Sequence, residues 1–189
     1  MNTYEERYHA FFDVLGTRYI MYGEWMYAKH TVYYDKLPHY FMEFDIFDRE
    51  AQIFLSTERR HEMLKNLPVV SVPVLKTGKF QDREDLISLL GKSNYISEHK
   101  TETLRQTSER LGLDVERQVR ETDASDTMEG LYIKIEENGQ VIDRMKYVRP
   151  SFTQTVDVSQ THWLDRPIVP NGLAIPVEAI YASKLPNQE

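Results

Sequence analysis

With 189 residues, 41% of them hydrophobic and 28% charged, the chain has the size and composition of one globular domain, which excludes a disordered or fibrous protein. It contains no cysteine, so disulfide scaffolds, thiolate zinc sites and cysteine nucleophiles are excluded together. A net charge of −7 opposes broad attraction to nucleic acid and leaves only a local basic patch for such binding.

The opening Met1-Asn2-Thr3-Tyr4-Glu5-Glu6 lacks the basic start and apolar stretch of a secretory signal. No run approaches the roughly 18 apolar residues of a membrane span, so a cytoplasmic location with no membrane partner is expected. Tyr8, Phe11, Phe12 and Leu15 recur at helical spacing before Gly16, which predicts a first helix over 4–15. A strand follows over 18–25. Residues 40–47 are rich in aromatic and β-branched residues and follow Pro38, as a buried strand would. Residues 57–67 read as a helix capped by Ser56 or Thr57, and 69–75 as a short strand that Pro73 confines to an edge. Two further helices are expected over 82–90 and 98–111, stopped by Gly91 and Gly112. Beyond Pro150, the prolines at 167, 170 and 176 and Gly172 suggest an ordered loop or wrapping tail. The order of elements indicates an α+β fold, a mainly antiparallel sheet with flanking helices, with a core over 1–149 and a tail over 150–189.

The sharpest local signal is Asn138-Gly139 between 131–137 and 140–148, the dipeptide of a type I′ hairpin turn. Regular pairing from that turn sets Glu137 opposite Gln140, Ile133 opposite Arg144 and Leu131 opposite Lys146. Alternation then places Glu129, Leu131, Ile133, Ile135, Ile142, Arg144, Lys146 and Val148 on one face, and turns Lys134 to the other with Tyr132, Asp143 and Met145. On charge alone, Glu129, Arg144 and Lys146 could be an ordinary surface ion cluster, worth about 0–1 kcal/mol per pair.

Four strings give a further reading: Gly23-Glu24-Trp25, then Phe44-Asp45-Ile46 within its aromatic run, then Glu129-Gly130-Leu131-Tyr132-Ile133-Lys134, then Arg144-Met145-Lys146. In this order they resemble motifs III, IIIa, IV and V of covalent nucleotidyltransferases, and within that superfamily the ATP-dependent RNA ligases. Each string is short; the series spans about two thirds of the chain. The resemblance implies a partial nucleotidyltransferase domain of ATP-grasp-like ligase type, with ATP and Mg2+ (or Mn2+) as cofactors and RNA ends as substrates, acting in RNA repair. It implies that Glu24 binds the ribose, that Phe44 stacks on adenine, and that Glu129 holds the metal. Lys146 would neutralise the α-phosphate, with Arg144 in place of the first lysine of the family's K-x-K pattern. Lys134 is also a motif position, ranked lower because the regular hairpin turns it away. His30 resembles a histidine usual in the ligase form of motif III, and His162-Trp163 with Arg166-Pro167 is similar to a tail string of bacterial and phage relatives. A GTP-using capping enzyme or a DNA ligase fits the Trp25-to-His30 and Leu37-to-Asp48 strings less well.

One element of that chemistry is missing. The family's nucleophilic lysine heads a K-x-D-G or K-x-N-G string, and none of the lysines here does; the nearest, Lys92-Ser93-Asn94-Tyr95, lacks the glycine. Only 23 residues precede Glu24, so the nucleophile segment is expected to be absent. Three explanations stay open: a truncated frame, one half of a split enzyme completed by an amino-terminal segment or partner chain, or a catalytically silent nucleotide- or RNA-binding module.

Overall fold

In the computed structural model, which describes residues 3–152 and 167–181, helix α1 (Thr3–Leu15) stops at Gly16. Gly16 takes a φ of +51°, a left-handed conformation that glycine adopts without steric cost. Its amide donates to the Phe12 carbonyl at 2.8 Å. Ala10, Phe11, Val14 and Leu15 pack inward, whereas Phe12, expected on the same face, is exposed.

Strand β1 (Tyr19–Trp25) pairs antiparallel with β2 (Phe41–Asp48). On its other side β2 meets β3 (Ile53–Leu55) and, in parallel, β4 (Val70–Ser71). Strand β3 continues to the hairpin of β6 (Gln140–Val148) and β5 (Gly130–Glu137), giving the order β1-β2-β3-β6-β5 with β4 beside β2. The sheet is six-stranded and antiparallel apart from β4. Sequence pattern overextended β4, because Pro73 cannot donate to a ladder, and missed β3, three residues too short to show a period.

Helix α2 (Thr57–Leu64) is capped by Ser56, whose hydroxyl accepts from the Arg59 amide. Its first turn is tied to β5, since Glu136 accepts from the Thr57 amide and hydroxyl at 2.8 and 2.7 Å. Helices α1 and α2 cover one sheet face over Ile46, Leu55, Leu64, Leu67 and Val69. Buried in this layer, Arg60 is paired with Glu43, which also accepts from Ser71 at 2.7 Å. Desolvation pushes the Glu43 carboxyl up, against the pull of Arg60 and Ser71. At the β2–β3 turn, Asp48 accepts two bonds from Arg18 (3.0 and 2.6 Å) and one each from the Glu50 and Ala51 amides.

Helices α3 (Arg83–Ile87) and α4 (Lys100–Arg110) are shorter than the sequence suggests. Helix α5 (Val115–Arg120), capped by Asp114, was not expected. A second core joins Tyr33, Leu104 and Val169, with Leu113 and Val119 against it. Thus the described tail lies on the loop that follows β1: Ala28 bridges to Pro170 and Leu37 to Leu173. Among the described residues no helix is long and apolar enough to cross a membrane. His162, Trp163 and Arg166 lie outside the described residues.

Candidate active site

The hairpin turns where expected, with Asn138 and Gly139 at φ +50° and +76°. Its register does not stay regular. After Glu137–Gln140 and Glu136–Val141 the ladder steps to Ile135–Asp143, leaving Ile142 as an extra residue in β6. Such a β-bulge changes which residues share a side. Arg144 therefore stands opposite Lys134, not Ile133, and Lys146 opposite Tyr132, not Leu131. Lys134, which regular alternation turns away, shares a face with both motif cations. Leu131, Ile133 and Ile135 share the other with Asp143, Met145 and Tyr147.

A second bulge lies in β2. Tyr22 pairs with Asp45 and Gly23 with Glu43, so Phe44 is the extra residue. Gly23 permits it: a Cβ there would sit 2.8 Å from the Met42 carbonyl and closer still to the Phe41 ring. The bulge sets Asp45, only 1% exposed, under the hairpin. Tyr132 donates its hydroxyl to Asp45 at 2.6 Å, Arg144 reaches it at 3.3 Å, and the Lys134 ammonium lies 2.7 Å from its other oxygen. Lys134 also donates to the Phe44 carbonyl at 2.6 Å. Burial and the neighbouring Asp45 push the Tyr132 hydroxyl up to about 12. Aromatic rings line the same region: Phe44 meets Tyr132 edge-on at 5.8 Å, and the Arg144 guanidinium lies 3.9 Å from the Phe54 centroid.

Beyond Tyr132 comes a second group. Glu129 stands just before β5, where the Arg149 amide still donates to its carbonyl at 3.0 Å; the bulge that moves Arg144 and Lys146 to the side of Tyr132 leaves Glu129, by alternation, on the side of Leu131 and Ile133, not with the two cations as regular pairing sets it. Its carboxylate accepts the Tyr34 hydroxyl. Burial pushes the Glu129 carboxyl up and Glu24 adds to this, while Tyr34, Lys146 and Arg149 oppose it. The Tyr34 hydroxyl is also driven up, by burial and then by Glu129. Glu24 is exposed on β1, and Lys146 is exposed on β6 with no ion-pair partner among the described residues. Arg149, by contrast, is buried and held by Asp123, Ser125 and the Met128 carbonyl. His30 is exposed in the loop after β1.

These residues occur in a chain whose residues 2–148 match the family model described as RNA ligase. The chain belongs to the RNA ligase family. No curated protein and no solved structure matches it. For an RNA ligase, the two groups differ in what they can do. Around Asp45, Oδ2 takes hydrogen bonds from Tyr132 and Arg144, while Oδ1 meets the Lys134 ammonium as an ion pair without a hydrogen bond. Around Glu129, the exposed Lys146 ammonium has no ion pair among the described residues, and the Glu24 carboxylate is exposed. Two concavities lie elsewhere, one between α4 and residues 170–177, the other beside α1 and α2. Sequence reading gave no role to Asp45, Tyr132 or Tyr34. An acidic residue inside the apolar run 40–47 was a usable signal for Asp45, since a buried carboxylate needs partners; nothing local marked Tyr34.

Proposed function

We propose that this chain is the nucleotide- and RNA-end-binding core of an ATP-dependent RNA ligase, which seals RNA through enzyme-adenylate and RNA-adenylate intermediates. The observation that carries the reading is the pairing of Lys146 with Tyr132 on the face of Lys134 and Arg144, with Glu129 within electrostatic reach of Lys146. Phosphate oxygens suit an unpaired lysine. Glu24 suits ribose hydroxyls, which donate to carboxylates, and Phe44, bulged out of β2, suits a base.

For a hard divalent cation the site offers one partly buried carboxylate, Glu129, with one oxygen taken by Tyr34. Among the described residues no three acidic or histidine side chains cluster as a metal cage. The reading gives that role to Glu129 alone, in the manner of Mg2+, which keeps waters and binds through one or two carboxylates plus phosphates. Bound there, the metal would offset charge on the phosphates. Lys146 would bind the α-phosphate and favour the charge that builds on its oxygens during transfer. Lys134 and Arg144, tied to Asp45, build the floor that holds the hairpin face in place.

The attacking lysine is supplied from outside the strings found in residues 1–189, by an amino-terminal segment or a partner chain. The test is incubation with α-labelled ATP and magnesium. The chain alone is expected to leave no acid-stable label, and lysine–AMP should appear only when a related ligase's amino-terminal segment is co-expressed. Labelling of the lone chain would mean that one of its own lysines is the nucleophile. A stable two-piece complex that binds ATP and never forms the adduct would favour the second reading, a silent binding module, which the missing K-x-D-G string supports.

A further inference from the structure

We infer that Tyr34 is a positioning residue for the Glu129 carboxylate, and that the tail holds Tyr34 to that task through Asn171. The inference rests on the reading of Glu129 as a ligand-facing group and adds the residues that aim it.

Glu129 precedes the first paired residue of β5; across the hairpin the Arg149 amide ties its backbone carbonyl at 3.0 Å and leaves the carboxylate unheld. What fixes it comes from 95 positions away: the Tyr34 hydroxyl donates to its Oε1. That bond occupies one carboxylate oxygen and leaves the other for a hydroxyl or a cation. The ring alone does not explain the tyrosine. Tyr34 meets Tyr95 edge-on at 6.4 Å, a contact that phenylalanine would make equally; only the hydroxyl requires Glu129.

The Tyr34 backbone is gripped from both sides by the tail. Its amide donates to Asn171 Oδ1 at 2.9 Å, and its carbonyl accepts from the Gly172 amide at 2.7 Å. Asn171 is buried and uses both ends of its side chain, since Nδ2 donates to the Met26 carbonyl at 2.8 Å. Its own amide donates to the Tyr27 carbonyl at 2.7 Å. One residue thus ties the loop's start, just past Glu24 and Trp25, to Tyr34 in its middle. Gly172 permits the close approach: a Cβ there would lie 2.9 Å from the Asp35 carbonyl oxygen. Supporting shells of this kind decide whether a functional carboxylate keeps one geometry.

The experiment uses the full chain with uniform 15N and 13C-labelled glutamate, Glu129 signals being assigned with Glu129→Gln. In the parent protein, relaxation should report one ordered Glu129 side chain. Tyr34→Phe should lose that order while the Gly130 backbone signal and the melting temperature stay nearly unchanged, and Asn171→Ala should lose it too. If Asn171→Ala does not fold, Asn171→Ser serves, and should loosen Glu129 in the same direction. A second arm adds Mn2+ with ATP and reads paramagnetic broadening of Glu129, expected to be severalfold weaker in Tyr34→Phe. Glu129 as ordered in Tyr34→Phe as in the parent overturns the inference, whatever Mn2+ and ATP do. Order lost in the variant, with Mn2+ and ATP leaving the parent's Glu129 untouched, supports the positioning role and removes the nucleotide–metal reading instead.

Discussion

Asp45 and Glu129 are the two carboxylates around which the candidate site is arranged, and the fold treats them in opposite ways. Asp45 sits inside β2 and is met by Tyr132, Lys134 and Arg144, all from the hairpin that crosses it. Glu129 sits at the end of the ladder, takes one hydroxyl from a distant loop, and lies within electrostatic reach of Lys146, which has no ion-pair partner among the described residues. The difference separates construction from readiness. A carboxylate enclosed by cations fixes the position of a surface, whereas one left partly open beside a free cation can receive something.

The largest effect is expected where the enclosure is removed. Asp45→Ala should cost about 3–5 kcal/mol, because Lys134, 11% exposed, would lose its counter-charge in a desolvated place. Urea unfolding reads this directly; a loss below about 1 kcal/mol would mean that Asp45 does not build the face. Lys146→Ala is the opposite case. In the two-piece assembly it should slow lysine–AMP formation about 100-fold, the size seen when a group opposing developing charge is removed. Its urea midpoint should hardly move, as surface changes usually stay within about 0.5 kcal/mol. A large loss of stability would instead place Lys146 with the floor.

Asp48 offers an enclosed carboxylate away from the site. Hydrogen bonds from Arg18, followed by those from the Ala51 and Glu50 amides, hold it at about 2, below its ordinary 3.8. The folded state favours its ionised form, so its contribution is fully present above about pH 4 and is lost as pH falls toward 2. Asp48→Asn should flatten the fall in stability across that window when melting is followed against pH. An unchanged profile would show that the acid sensitivity belongs to other groups. The smallest effect belongs to Arg144, 39% exposed and stacked on Phe54. Arg144→Lys keeps the charge and loses the flat contact, for about 0.5–1 kcal/mol; a larger loss would move Arg144 fully into the enclosed group.

Local chemistry made part of this legible in advance. Asn138-Gly139 marked the hairpin, glycines marked the ends of α1 and α4, and four short strings marked the family. The sidedness of the hairpin was not legible, because Val141-Ile142-Asp143 carries no residue type that announces a bulge. Lys134 was turned to the wrong side for that reason alone. Three-residue β3 and six-residue α5 are set by tertiary packing, not by their own periodicity. Tyr34 was out of reach because its meaning lies in a bond to Glu129 and in backbone bonds to Asn171 and Gly172; no window along the chain contains those partners together.

Ile142 gives β6 a choice. With the same turn, the strand could pair without its bulge, and in that slipped arrangement Arg144 and Lys146 would swap sides with Asp143, Met145 and Tyr147. The observed arrangement is the one in which Arg144 and Lys134 both reach Asp45, so this buried carboxylate acts as a key that selects one of two ways for the hairpin to close. A β6 shortened by Ile142 would need no such key, since its regular pairing already sets Lys146 against Tyr132. In the full-length strand, the position of the cation proposed to meet phosphate is decided by an aspartate that need never touch the nucleotide.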